Sequence, residues 1–429
     1  MEKIGYRIHK NIDFLIYKEG ENPVKTIFQE KNGHHASVWK DGRFGSACME
    51  TESEIPYRFD ILMDHAFRNL DIKNMKKNSV MPADNQRVFG GGQNDILEYE
   101  DKVADLYRQI TAVVPYDVYL EIRGMIVQKR LWFGEKDCQF SNYAGKFLSI
   151  TLTDKENRLL TVSQTIALER ISDLMKVVQK AKKELDKKKE MGVGWIEKGS
   201  WECILHPEVS AMLVHESLGH AMEADIAEGS LGIDNRERCL CEENINITDF
   251  ANHAFGKEVP VPMYVDDEGS ACRDVPLIKN GKTGEYMNNM SYADKYFQCH
   301  CTGNARAHYY KDIPMIRMRN TALLPGYQDA KEMLASISDG YYLRKVANGQ
   351  ADTGGRYTFR IMSGYKIHNG KLMYPVGGNT VIGNMTTFLQ SISAISSQFE
   401  WLDDRICSKK QLVPVAMGGP YVRCNMYIL

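Results

Sequence analysis

Apolar and polar positions along this chain repeat with two different periods. "YDVYLEIRGMIVQKR" sets Val118, Leu120 and Ile122 on one side of a strand at period two. "NYAGKFLSITLTDKENRLLTVSQ" predicts two strands joined by a polar turn from Asp154 to Asn157. The next stretch, "SQTIALERISDLMKVVQKAKKELDKKKEMG", changes to a helical period. Ile166, Leu168, Ile171, Leu174, Val177 and Val178 make an apolar stripe, and a lysine-rich end closes at Gly192. Those lysines are expected on a solvated helix end, where the dipole favours cations. From Trp195 onward short strands and loops dominate. "RYTFRIMSGYKIHNGKLMYPV" places Asn369-Gly370 between alternating segments, a hairpin signal. Mixed strands and helices without regular β-α-β succession predict an α+β fold. The change of texture divides the chain into a mixed N-terminal domain, residues 1–195, and a β-rich C-terminal domain, residues 196–429.

Two glycine-rich stretches invite phosphate-binding readings and fail on spacing. "NGKTG" at 280–284 would need a glycine five residues before Gly281, and Pro276 stands there. "FGGGQN" at 89–94 reads as a loop leading into a helix capped at Asn94 or Asp95. Charged residues make up 26% and hydrophobic residues 43% of the 429 positions, the balance of an ordinary globular protein. A formal net charge of −2 gives no global pull toward nucleic acid or an anionic membrane, so direct binding to either is not expected. Charges interrupt every apolar run of "MEKIGYRIHKNIDFLIYKEG", and no later segment reaches a membrane-spanning length, so a cytoplasmic location is the default expectation. In that compartment the ten cysteines are expected as free thiols or metal ligands. None forms a C-x-x-C pair, and "CLC" at 239–241 and "CHC" at 299–301 are weak metal signals.

The candidate chemistry lies in "LVHESLGHAMEAD", residues 213–225. Pro207 can open a helix there and Gly229 can close it. Val209, Met212, Leu213, Leu218, Met222 and Ile226 make that helix mostly buried, yet His215, Glu216, His220, Glu223 and Asp225 interrupt it. Burying so many ionisable groups is costly unless they pair or bind a metal. Positions five apart on a regular helix sit roughly 140° apart, so an undistorted helix cannot aim His215 and His220 at one ion. A single wide turn of the π type would bring them together, with Gly219 the least crowded place for it. Alternatively Glu216 and His220, four apart, form an ordinary helix-face pair and the histidines share nothing. If a metal binds, two imidazoles and one further ligand suit zinc and leave a fourth tetrahedral position for water. Glu216 can then act as general base on that water. Glu223 and Asp225 are better placed to orient a histidine.

The string His215-Glu216-x-x-Gly219-His220-x-x-Glu223-x-Asp225 resembles the signature of the TldD/PmbA family, zinc metalloproteases of the cytoplasm once described as modulators of DNA gyrase. "YVDDEGS" at 264–270, "LIKNGKTGEYMNNMSYA" at 277–293, "TGNARA" at 302–307, "RMRNTALLPG" at 317–326 and "CSKKQLVPVAMGGP" at 407–420 look like family blocks in family order. With both histidines present, the motif is similar to that of the TldD-type catalytic member and unlike the PmbA-type partner. The resemblance implies Cys407 as the third zinc ligand, although Ser408 replaces the usual glycine after it. Cys424, Cys299 and Cys301 are the other candidate thiols. It also implies an unfolded or extended peptide as substrate, cut inside a homodimer or a heterodimer with a paralogous subunit. His300, Arg306, His308 and Tyr309 are candidates for stabilising an oxyanion. Two other readings stand beside the peptidase: a non-catalytic partner with a structural metal, and a zinc amidase tailoring modified peptides.

Overall fold

The computed structural model describes residues 2–40, 43–50, 62, 64–66, 94–133, 139–158, 160–229, 238–352 and 354–429. The glycine-rich stretch at 89–93 lies outside them, and the helix it leads into begins at Asn94. Two sheets organise the molecule, and the fold is α+β. The first runs β3-β2-β1-β4-β5-β6, built from β1 (Glu2–Glu19), β2 (Lys25–Lys40), β3 (Arg43–Glu50), β4 (Asp117–Phe133), β5 (Gln139–Thr153) and β6 (Thr161–Ala167). Every neighbour in it is antiparallel. Val118, Leu120 and Ile122 are buried as period two requires, with Ile12, Phe14, Ile16, Leu148 and Ile150 beside them. Two helices cover that face, α1 (Asn94–Thr111) and α2 (Leu174–Met191).

The start of α2 departs from the apolar stripe. Ile166 pairs across β5 with Leu148, residues 168–173 form a 3₁₀ turn, and the helix begins only at Leu174. The β-branched run Thr161, Val162, Thr165, Ile166 favours the pleated surface, and pairing with β5 takes it. The buried stripe of α2 is Leu174, Val178, Ala181 and Leu185. Its lysine-rich end is not simply solvated. Lys188 is buried, 3.3 Å from the Thr161 carbonyl and 3.5 Å from Glu184, and Lys189 pairs with Asp154 at 2.8 Å. Gly192, at φ 71°, ends the helix.

The second sheet has eleven strands. At its centre lies Val413–Ile428, which pairs antiparallel with Ala394–Cys407, with Thr380–Asn384 and with β7 (Gly199–Leu205), and parallel with Asn320–Leu323. Strand β7 also pairs parallel with Asp339–Ala351, which pairs with Arg356–His368, which pairs with Thr380–Asn384. These strands therefore close a hydrogen-bonded circuit: β7, 339–351, 356–368, 380–384, 413–428 and back to β7. The circuit encloses a core of Leu205, Phe359, Ile361, Val422 and Ile428 and, among the described residues, leaves the edge of 339–351 open beyond Leu343. The expected hairpin is present, with Asn369 at φ 48° and Gly370 at φ 70° between Arg356–His368 and Lys371–Val376. "NGKTG" is also a hairpin turn, with Asn280 and Gly281 at positive φ.

A buried carboxylate joins the two sheets. Asp267 lies 2.6 Å from Lys129 Nζ and 3.7 Å from Arg7 Nη1, both on the first sheet, and accepts the Ala307 amide at 2.6 Å. Burial raises the carboxyl of Asp267, but Lys129 and Arg7 outweigh it and hold the pKa below the usual range. Burial lowers the Lys129 ammonium to about 8 in spite of Asp267. Removing one member of such a group strands the others without compensation. Asp267→Ala is expected to lower the free energy of unfolding by about 3–5 kcal/mol. Urea titration at neutral pH measures it, and a loss below about 1 kcal/mol would show that the clamp is dispensable.

Candidate metal centre

Strand β7 runs straight into the motif. His206 caps the helix α3 (Pro207–Val214), its Nδ1 accepting the Glu208 amide at 3.1 Å, and Pro207 occupies the first turn. Val209, Leu213, Val214, Leu218 and Met222 sink into the core of the closed circuit. The helix does not continue regularly to Gly229. Residues His215–Gly219 form a π turn in which the His220 amide bonds to the His215 carbonyl, five residues back. A 3₁₀ turn follows, and Glu223 is extended at φ −78°, ψ 123°, before a short helix Ala224–Gly229. The break is held by Met287, whose amide bonds to the Met222 carbonyl and whose carbonyl accepts the Ala224 amide.

The wide turn puts His215 and His220 on one face, with ring centroids 5.2 Å apart. Gly219 has ordinary helical angles there, so its role is not conformational freedom. A Cβ on it would sit 2.1 Å from the Met318 sulfur, so the missing side chain lets the segment before strand Asn320–Leu323 close in. Cys407, at the end of Ala394–Cys407, brings its Sγ to 3.4 Å from His220 Nε2. Ligand atoms of His215, His220 and Cys407 all lie within 4.8 Å of one another, the one such group among the described residues. Cys424 faces Cys203 across paired strands, Cys299 contacts Asp294, and neither they nor Cys301 join the group.

His215 is fully buried, yet both its ring nitrogens lack a hydrogen-bond partner. Such a group costs free energy unless something else satisfies it, so the residues present fit a metal ion. A donor set of two imidazoles and a thiolate suits zinc in particular. The protonation balance fits as well. Burial would raise the Cys407 thiol, but the neighbouring His215 and His220 rings bring it down to about 4. Burial would lower His220, but Glu223 and Cys407 outweigh it and raise the ring to about 10. Without a metal, an imidazolium thus sits against a thiolate. Binding a metal exchanges that proton for the ion.

Glu223, fully buried, orients His220. It is held ionised below its usual range by His220 and Lys409 in spite of burial, so it accepts from His220 Nδ1 at 3.1 Å. That turns Nε2 toward Cys407, and once its proton is exchanged for an ion the Nε2 lone pair is free to ligate. Glu216 Oε2 is 4.0 Å from His220 Nε2, too long for a hydrogen bond but within the range of an i,i+4 charge pair. The side chain of Glu216, a quarter exposed, points toward Asp339–Ala351, where a Cβ on Gly349 would lie 3.4 Å from its Cγ. The pairing of that strand shifts there, from Ala347 opposite Arg360 to Gln350 opposite Thr358, so the extra residue of a β-bulge falls beside Glu216.

None of the four oxyanion candidates joins the group. Arg306 donates to the Met318 carbonyl at 2.7 Å and the Pro414 carbonyl at 2.6 Å, and His300 Nδ1 contacts the Phe297 carbonyl. His308 and Tyr309 pack between the sheets beside Asn11 and Asp13. Sequence reasoning missed three contributors. Arg317 is buried and donates to the carbonyls of Cys407 at 2.9 Å and Gln411 at 2.7 Å, fixing the loop that presents the thiol. Met318 fills the notch at Gly219. Lys409 bridges Glu223 and Asp225. Their only sequence cue is membership of the blocks "RMRN" and "CSKK".

Comparison with known proteins follows the same part of the chain. Residues 198–428, more than half of it, match the PmbA/TldA metallopeptidase C-terminal domain. The chain belongs to this metallopeptidase family. It is 34% identical over 226 residues to the zinc metalloprotease TldD homolog of Saccharolobus solfataricus, covering 52% of this chain and 50% of that one. With the metalloprotease TldD homolog of Haemophilus influenzae it shares 32% over 219 residues, 50% of this chain and 45% of that one. The match thus spans about half the length of these curated relatives. Two solved structures share the fold over nearly the whole chain. A putative modulator of a DNA gyrase from Thermotoga maritima has TM-score 0.73 at 16% identity, covering 98% of this chain and 96% of that one. TldE from Thermococcus kodakarensis has TM-score 0.71 at 15% identity, covering 99% and 96%. Among the described residues no helix is long and apolar enough to cross a membrane.

The convergence of His215, His220 and Cys407 has a measurable consequence. Protein loaded with zinc and freed of excess by gel filtration is expected to hold about one ion per chain. His215→Ala and Cys407→Ala each should lose it under the same wash, read by elemental analysis. Full retention in both variants would eliminate this ligand set.

Proposed function

We propose that this protein is a zinc-dependent metallopeptidase that cleaves unfolded or extended peptides. His215, His220 and Cys407 would hold the metal, and Glu216 would be the general base. The observation that carries this reading is the position of Glu216. It sits beside a three-ligand group, 4.0 Å from His220 Nε2 without a hydrogen bond to it, and is partly open to solvent. A purely structural metal has no need of a base there, which weighs against a non-catalytic partner. When bound, zinc supplies Lewis acidity, polarising a carbonyl and making water more acidic. Glu216 takes the proton from the attacking water and can return it to the leaving amine. The thiolate of Cys407 donates more charge than an imidazole would, so turnover leans on Glu216 and on substrate positioning.

An extended peptide has a place to lie. Strand Asp339–Ala351 is covered by β7 only from Tyr341 to Leu343, and past that point no described strand pairs with that edge. A peptide added there would be held by its backbone, with little preference for side chains, and would pass the bulge at Gly349 beside Glu216. A cytoplasmic assembly of two chains, identical or paralogous, completes the reading by family resemblance. The test is Glu216→Gln. It should keep zinc and lower kcat on an unstructured peptide by about 10²–10⁴-fold. Wild-type turnover in that variant rejects the assignment.

A further inference from the structure

Lys409 lies on the loop that follows Cys407, yet its ammonium reaches the broken helix. Nζ is 2.7 Å from Glu223 Oε2, 2.7 and 2.9 Å from the two oxygens of Asp225, and 3.4 Å from the Ile316 carbonyl. Glu223 is fully buried and both its oxygens have protein partners: Oε1 accepts the Met318 amide at 3.3 Å, and Oε2 is shared between Lys409 and His220 Nδ1. One chain of contacts thus runs from the backbone two residues past the thiol, through an ammonium and a buried carboxylate, to the histidine facing that thiol. Asp225, a quarter exposed, would otherwise place a second carboxylate near the buried Glu223, and like charges that close repel. Lys409 separates them and ties both to the Cys407 loop.

We propose that Lys409 is a positioning residue of the metal centre, linking the Cys407 loop to the Glu223 carboxylate so that thiol and imidazole are held at their ligating separation before any ion arrives. The proposal rests on the ligand set given above. Its physical content is preorganisation. Arg317 fixes the start and end of the loop through the carbonyls of Cys407 and Gln411, and Lys409 fixes its middle to the helix. Without the ammonium, Glu223 keeps His220 but loses its bond to the other side of the site. The loop is then held by Arg317 at its two ends, and its middle is no longer tied to the histidine side of the site.

The experiment uses the full chain, with zinc affinity read by chelator competition and cobalt(II) substitution read by its thiolate charge-transfer band. Lys409→Met is expected to weaken zinc about 10–100-fold, the usual cost of losing an outer-sphere partner, and to reduce or shift the cobalt–thiolate band. Lys409→Arg, which can span the same two carboxylates, should restore affinity to within a few-fold. A Lys409→Met variant with unchanged affinity and band overturns the proposal, as does a Lys409→Arg variant no better than Lys409→Met. If Lys409→Met unfolds, Asp225→Asn is read the same way: affinity should fall by a smaller factor, and no change is again fatal. His220→Ala and Cys407→Ala controls separate the two layers. Metal retained in both overturns the ligand set itself, whereas metal lost in both beside an unaffected Lys409→Met overturns only the role of Lys409.

Discussion

One backbone hydrogen bond governs this site: the His220 amide to the His215 carbonyl, five residues back. A regular helix would bond four back and turn the two imidazoles away from each other. The added residue rotates His220 onto the face of His215, and everything else at the centre accommodates that rotation. Gly219 gives Met318 room to pack against the widened turn. Glu223 leaves helical geometry one turn later and points its carboxylate back at His220. A π turn is a costly local choice, tolerated where the surroundings over-determine it. Here a buried helix, a bridging Met287 and a closed strand circuit do so.

The thiol comes from far away in sequence and needs its own support. Cys407 ends a strand paired with Val413–Ile428, the strand that also pairs with β7 just before the motif helix. Helix and thiol therefore hang from one central strand. Buried arginines replace the bonds an irregular loop would otherwise make to water, Arg317 to Cys407 and Gln411 and Arg306 to Met318 and Pro414. The Asp267 clamp then seats the first sheet against the loops that carry these arginines. Rigidity at the metal group and packing between the sheets are one connected structure.

What was legible in the sequence was local chemistry. Alternation gave β4 and β5, Asn369-Gly370 gave its hairpin, Pro207 gave a helix start, and histidine spacing raised the π turn as one of two options. The single helix expected from Pro207 to Gly229 ends early, because the bridge to Met287 breaks it at Glu223 and that contact is tertiary. The stripe from Ile166 misplaced the start of α2 because strand pairing overrode a helical period. Lys188 is buried because Glu184 and a strand carbonyl await it, which no lysine run reveals. Nor does any local pattern announce that β7 will join strands 341–343 and 422–428 and so close a circuit. The roles of Arg317 and Lys409 are likewise long-range, and both were hidden in blocks that could be matched but not interpreted.

The central claim is that two imidazoles five residues apart and one distant thiolate converge on a single ion. X-ray absorption at the zinc edge of the loaded protein tests it most directly. The account predicts one sulfur scatterer at about 2.3 Å and nitrogen scatterers at about 2.0–2.1 Å with the multiple-scattering pattern of two imidazoles. A first shell with no sulfur, or with a single imidazole, would contradict it.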